Sequence, residues 1–321
     1  MGSSPIALIT DVDWEGSSLE REIIEARGFQ VVVAPDSSEK TLSSLAADAA
    51  VILVCFASLT AAAIEAASHA HGILRYGGGT NNIDLDAAAR MNIPVFNVPD
   101  FCVEEVADHA LMLMLALNRS LEKQVAVVRS GGWAMPAELP PRISTQTLGL
   151  VGMGRTGQAF ARRAAPLGME VLYTMSSREL PQDIVATRVD NILELASLVD
   201  VLSIHLPLTP STADIIDSAV LRAMKPSAML LNVARGGLVN TDDLVQALRT
   251  EEIAHAGLDV TNPEPLPVDH PLRSLPQCIV TPHFAYRSQE AIDEVRRRVA
   301  KAALALLEGG SPAEDDVTRV G

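Results

Sequence analysis

Three apolar runs in the second half of the chain each lead into a polar side chain with a chemical use. They are Leu231-Asn232-Val233-Ala234-Arg235-Gly236-Gly237, Gly257-Leu258-Asp259-Val260 continuing to Pro263-Glu264-Pro265, and Thr281-Pro282-His283. A guanidinium, a carboxylate and an imidazole in these places fall where open parallel sheets bind ligands, beyond the carboxyl ends of their strands. Each alone has an ordinary explanation: a surface ion pair for Arg235, a solvated loop acid for Glu264, a satisfied histidine beside a turn for His283. Together they point to an acid–base site with a clamp for an anion. The clamp is Arg235, whose planar fork holds a carboxylate more directionally than lysine would. His283 and Glu264 are the candidate acid–base groups, an imidazole being able to carry a proton near neutral pH and a carboxylate to pair with it.

A second constellation lies upstream, in Leu148-Gly149-Leu150-Val151-Gly152-Met153-Gly154-Arg155-Thr156-Gly157. It is an apolar strand running into G-x-G-x-x-G, with a helix-like stretch and another apolar run behind it. Gly152 permits a tight turn, Gly154 lets the backbone approach a pyrophosphate, and Gly157 lets helix and strand pack closely. An ordinary glycine-rich turn does not require that strand and helix context, so the stretch is read as a dinucleotide site formed by Gly152, Met153, Gly154, Arg155, Thr156 and Gly157. In NAD-binding domains an acid about 20 residues further on binds the ribose 2′-OH. That place falls at Met175, and Ser176, Ser177 and Arg178 follow it. Two hydroxyls and a guanidinium suit a 2′-phosphate, so NADP(H) is favoured; NAD(H) stays possible because Glu179 is placed to touch a ribose.

The elements that must position these groups follow from alternation. Short apolar runs alternate with Ala-rich helical stretches from residue 6 onward, the pattern of βαβ units and parallel sheets. The expected strands are 6–10, 30–34, 50–55, 72–76 and 95–98, then a second series from 147 through 170–174, 201–206, 228–233, 254–259 and 279–281. The fold class expected is α/β, two doubly wound parallel-sheet domains with a cleft between: a flavodoxin-like substrate domain (1–102 and 289–321) and a Rossmann coenzyme domain (103–288). Between the series, Val103–Leu121 reads as a helix whose middle, Ala110–Leu117, is apolar nearly all round, to be covered in the core between the domains, by a second subunit, or by both. A homodimer built on it is the expectation. Gln289–Leu307 reads as a helix docking on the first domain, and the polar tail from Ser311 as loose.

Forty acidic against 25 basic residues give a net charge of −15, which argues against a nucleic-acid or anionic-membrane partner. Three scattered cysteines in apolar settings suit free buried thiols, not a disulfide or metal site. No run approaches membrane-spanning length and no signal peptide is evident, so a cytoplasmic protein without metal is expected.

The motifs N-x-A-R-G-G at Asn232–Gly237, G-L-D-V-x-x-x-E-P at Gly257–Pro265 and T-P-H at Thr281–His283, with the glycine loop, resemble the D-isomer-specific 2-hydroxyacid dehydrogenases over essentially the whole chain. Residues 75–84 and 97–108 are similar to the C-terminal-binding-protein-like branch, whereas Leu258–Pro267 resembles the glyoxylate/hydroxypyruvate reductases. The resemblance implies reversible reduction of a small 2-oxoacid by hydride from NAD(P)H. It implies that Arg235 and the amides of Gly78 and Gly79 hold the substrate carboxylate, with His283 giving the proton and Tyr286 beside the substrate. It places Asp259 at the nicotinamide carboxamide and Val233 and Ala234 at the cofactor. His205 and Pro207 lie on its adenosine side, with a purely structural His205 equally open. The rival implied is a non-catalytic NAD(H)-sensing co-regulator of the C-terminal-binding-protein type.

Overall fold

The computed structural model describes residues 4–134, 139–176 and 179–320. The chain runs β1 (Ile6–Ile9), α1 (Ser18–Glu25), β2 (Gln30–Val33), α2 (Glu39–Ala46), β3 (Ala49–Val54), α3 (Ala61–Ala66), β4 (Gly72–Arg75), α4 (Leu85–Arg90) and β5 (Val95–Asn97). It continues with α5 (Val103–Asn118), α6 (Leu121–Arg129), β6 (Thr147–Val151), α7 (Arg155–Ala164), β7 (Glu170–Thr174), β8 (Thr187–Arg188), α8 (Ile192–Leu198), β9 (Val201–Ile204), α9 (Ser218–Ala223), β10 (Met229–Asn232), α10 (Thr241–Arg249), β11 (His255–Leu258) and β12 (Cys278–Val280). It closes with α11 (Gln289–Leu307) and β13 (Thr318–Val320). Contacts divide the chain into two compact units, Met1–Cys102 with Ser288–Gly321, and Val103–Arg287.

In the first unit the strand order is β13-β5-β4-β3-β1-β2. The parallel strands β1 to β5 thus follow the flavodoxin-like order 2-1-3-4-5. Nearly all of β3 is buried, which is why it reads as an unbroken apolar run. Ser288 caps α11 by accepting from Ala291 N, and the apolar stripe Ile292, Val295, Val299, Ala302 and Leu306 is buried, the helix packing on α1, β3 and β4. Under that contact Arg296 donates to both oxygens of the fully buried Glu20, at 2.9 and 2.8 Å.

The tail is not loose. Thr318–Val320 pairs antiparallel with β5, Val320 opposite Val95, and Val317 is buried. Strand pairing uses backbone groups that every residue carries, so a polar segment joins a sheet edge without an apolar signature. A second correction concerns the helix expected over 103–121. It ends at Asn118, and Ser120, at φ +48°, turns the chain into α6. Cover is incomplete as well: Met112 on α5 is 47% exposed, and Leu121 and Val128 on α6 are exposed too. Of the three free cysteines, Cys55 and Cys278 are buried and Cys102 is only partly so.

The second unit carries a seven-stranded sheet, β12-β11-β10-β9-β6-β7-β8, parallel throughout. Counting from β6, this is the Rossmann order with strand 1 central. The reversal point lies between β6 and β9, the place where such sheets open a crevice at the strands' carboxyl ends. Apolar clusters cover both faces. Leu148, Leu150 and Leu231 pack against α5 and α7 residues such as Leu113 and Phe160 on one side; Val151, Leu202 and Leu230 pack with Leu221 and Leu244 on the other. No helix among the described residues is long and apolar enough to cross a membrane.

Candidate active site

The loop between β6 and α7 is shaped by its glycines. Gly152 has φ +99°, and a Cβ there would stand 2.6 Å from His205 O. A Cβ on Gly157 would run into Gly152 O, so helix and loop touch backbone to backbone. At Gly154 the situation is opposite: among the described residues, an added Cβ meets no atom within 4 Å beyond its own chain neighbours, and no side chain caps the helix that begins at Arg155. An open approach to an uncapped helix N-terminus fits a pyrophosphate. Met153 is buried, and Arg155 is exposed.

His205, at the end of β9, is packed beneath this loop. It is 8% exposed, its Nε2 is 2.9 Å from Ser203 Oγ, and its ring centroid is 5.8 Å from that of Phe160. Burial pushes its imidazole down to about 4. Pro207 next to it is exposed, and its carbonyl accepts from Thr212 Oγ1. After β7, Met175 takes the left-handed conformation, φ +56°. Ser176 and Glu179 line a hollow of about 560 Å³ together with Tyr173, Gln182 and Arg188. Ser177 and Arg178 lie outside the described residues.

The acid–base candidates follow β10, β11 and β12, three neighbouring strands at one side of the sheet. Val233, Ala234 and Arg235 leave β10; Asn232 Nδ2 donates to Arg235 O at 2.9 Å, and the guanidinium donates to Ala234 O at 2.7 Å. Beyond β11 comes Glu264, whose Oε1 lies 2.5 Å from His283 Nδ1, so the predicted partnership is formed. Tyr286 stands edge-on to the His283 ring, centroids 6.0 Å apart. His283 itself is in the left-handed region, φ +53°, a conformation that costs a side-chain-bearing residue about 1–3 kcal/mol.

Asp259 explains how that turn is held. Its carboxylate, 1% exposed, accepts from Thr281 Oγ1 at 2.5 Å, Phe284 N at 2.9 Å and Ala285 N at 2.8 Å, while its carbonyl accepts from His283 N. Burial alone would push this carboxyl up; the donors His109, Thr281, Ala285 and Phe284 outweigh it and hold it down at about 2. Asp259 is therefore first an anchor of the His283 turn, a role its sequence assignment to the cofactor did not include.

Gly78 and Gly79 belong to the other unit, in the turn after β4, where Asn97 Nδ2 donates to Gly78 O at 2.6 Å. Sequence reasoning passed over His109, a ring 9% exposed on α5 and 3.3 Å from Asp259 Oδ1. The available signal was a titratable residue inside an apolar helix stripe, between Asp108 and Ala110.

With this geometry in hand, the known proteins are informative. The family model for the NAD-binding domain of D-isomer-specific 2-hydroxyacid dehydrogenases matches residues 111–285. The chain belongs to the D-isomer-specific 2-hydroxyacid dehydrogenase family. The relatives that match are named as dehydrogenases or reductases, and the chain is read with them as an NAD(P)-dependent oxidoreductase. A glyoxylate reductase of Thermofilum pendens is 33% identical over 287 residues, 87% of this chain and 84% of the relative. A D-3-phosphoglycerate dehydrogenase of Mycobacterium leprae is 34% identical over 95% of this chain, which spans only 57% of that relative's length. Among solved structures, an NADPH-dependent glyoxylate/hydroxypyruvate reductase of Sinorhizobium meliloti superposes with a TM-score of 0.85 at 30% identity, over 99% of this chain and 98% of the other.

Proposed function

We propose that this dehydrogenase reduces a small 2-oxoacid of the glyoxylate or hydroxypyruvate kind to its hydroxy acid, reversibly, with NADPH favoured over NADH. The observation that carries the reading is the His283–Glu264 pair, which with Arg235 follows three neighbouring strands on the carboxyl-end side of the same parallel sheet as the glycine loop. The bound nicotinamide supplies the hydride for the keto carbon. The chain's residues do the rest. Arg235 binds the substrate carboxylate and polarises the keto oxygen. Glu264 holds His283 Nδ1, which orients the ring so that Nε2 gives its proton to the developing alkoxide, or takes it back in the oxidation. Gly78 and Gly79 are retained as carboxylate donors, and Tyr286 as a neighbour of the substrate, on the resemblance alone.

For the cofactor, Gly152, Met153, Gly154, Arg155, Thr156 and Gly157 would meet the pyrophosphate. His205 would hold that loop from below, Pro207 would face the adenosine, and Val233, Ala234 and Asp259 would lie toward the nicotinamide end. The NADPH preference rests on the missing acid at Met175 and on Ser176, Ser177 and Arg178, which follow it in the sequence; Ser176 also lines the adjoining hollow with Arg188. The NADPH-dependent relative points the same way. The partly bare apolar faces of α5 and α6 support a homodimer, which light scattering would detect; the free cysteines suit the reducing cytoplasm.

Initial rates with NADPH and NADH against glyoxylate, hydroxypyruvate, pyruvate and longer 2-oxoacids test the reading. Turnover highest with a two- or three-carbon substrate and NADPH is expected. Oxidation of neither cofactor by any 2-oxoacid overturns it, and a higher kcat/KM for NADH overturns the cofactor assignment.

A further inference from the structure

His109 belongs to none of the roles above. It sits on α5 with its ring 9% exposed, and its centroid is 6.5 Å from that of Phe284. Its Nε2 is 2.9 Å from Thr281 Oγ1 and 3.3 Å from Asp259 Oδ1. The directions of these bonds follow from proton counting. A carboxylate only accepts, so the single hydroxyl proton of Thr281 goes to Asp259 Oδ1, 2.5 Å away. Thr281 Oγ1 is then an acceptor toward His109, and His109 Nε2 must carry the hydrogen.

The chain of contacts runs on to the proton carrier. Asp259 takes the Thr281 hydroxyl and the amides of Phe284 and Ala285 on its side chain and the His283 amide on its carbonyl, so four of the five residues 281–285 are tied to it. His283 keeps its left-handed backbone only as long as those ties over-determine it. Oδ1 itself is steered by three donors, of which His109 is the one that comes from outside the turn and from a different element.

We propose that His109 is a positioning residue for the acid–base step: from α5 it fixes Thr281 and the Asp259 carboxylate, and through them the turn that aims the His283 imidazole. The inference rests on the reading of His283 as proton carrier. It predicts that losing the Nε2 donor slows chemistry while binding survives, since misplacement by about 1 Å costs up to about 10²-fold in rate.

The test uses two variants of the full chain. His109→Phe keeps a ring in the site and removes the donor; His109→Gln keeps a donor. In His109→Phe, kcat should fall about 10- to 100-fold, with KM for both substrates within about twofold of wild type; His109→Gln should restore kcat to within about threefold. A readout independent of turnover comes from ¹⁵N-histidine labelling, the ring signals of His283 being assigned by their loss in His283→Ala. They should move in His109→Phe and stay near wild type in His109→Gln. Unmoved His283 signals or an unchanged kcat in His109→Phe overturn the proposal, as does equal impairment of the two variants. Wild-type turnover by His283→Ala would instead sink the acid–base reading, leaving the ¹⁵N signals to judge whether His109 positions the turn.

Discussion

Acid should weaken this protein through one buried ring. The His205 imidazole is held at about 4 instead of its usual 6.5, and burial is the cause. Folding thus keeps it neutral, while unfolding lets it take up a proton. The folded value is the depressed one, so the contribution is complete above about 6.5 and is lost as pH falls through about 4. Displacing an imidazole that far, at ~1.36 kcal/mol for each pH unit, contributes about 3 kcal/mol. About 2 kcal/mol of it is gone between pH 7 and pH 5. His205→Gln removes the titration and keeps a hydrogen-bonding group for Ser203 Oγ, now 2.9 Å from Nε2. Urea unfolding followed by circular dichroism, at both pH values and for both proteins, gives the gap in unfolding free energy. Carboxylates such as Asp259 are common to both and cancel. Whatever the variant loses at pH 7, the gap should close by about 2 kcal/mol at pH 5. A gap that does not change with pH refutes the idea that His205 is buried as the neutral ring.

Three further outcomes are expected. His283→Ala should lower kcat about 10²–10⁴-fold and leave the dissociation constant of the reduced cofactor nearly unchanged by fluorescence titration, because the proton is needed only in the reaction. Arg235→Lys keeps the charge and loses the fork, so steady-state kinetics should show KM for the 2-oxoacid rising and kcat falling together; unchanged values would make Arg235 a background charge. Glu264→Gln leaves Nδ1 an acceptor without a charge, and kcat should drop about tenfold, the scale of one charge-assisted bond; wild-type kcat would mean the 2.5 Å contact is not used.

Apart from β8, whose exposed Thr187–Arg188 pairs with β7 without an apolar signature, the parallel strands of both sheets were legible in the sequence because each is a short apolar run closed by turn residues. Arg235 and His283 were legible as candidates for a related reason: each stands three positions beyond such a run, whereas Glu264, six positions past β11, was legible only as a loop acid on the same side of the sheet. What escaped depends on direction or on distant partners. His109 lies in an apolar helix, and composition does not say which neighbour a ring on that helix meets. Strand β13 was missed because Thr318, Arg319 and Val320 pair through their backbones with residues some 220 positions earlier. The break at Ser120 needed a left-handed residue that is not glycine, for which the sequence carries no mark.

The two-ended construction of the first unit has a consequence for how the protein is made. Its strands β1 to β5 are complete once Cys102 has been synthesised, but α11, which packs on β3 and β4, comes roughly 200 residues later. At about 5–20 residues per second, the nascent chain carries that sheet with one face covered only by α1 for roughly 10–40 s. The second unit is contiguous and needs nothing beyond Arg287 to close. During synthesis the later-made half is therefore the first able to finish, and the earlier-made half is the natural client of a chaperone at the ribosome. A message truncated just after Arg287 would yield a folded nucleotide-binding unit tethered to an unfinished, protease-sensitive one.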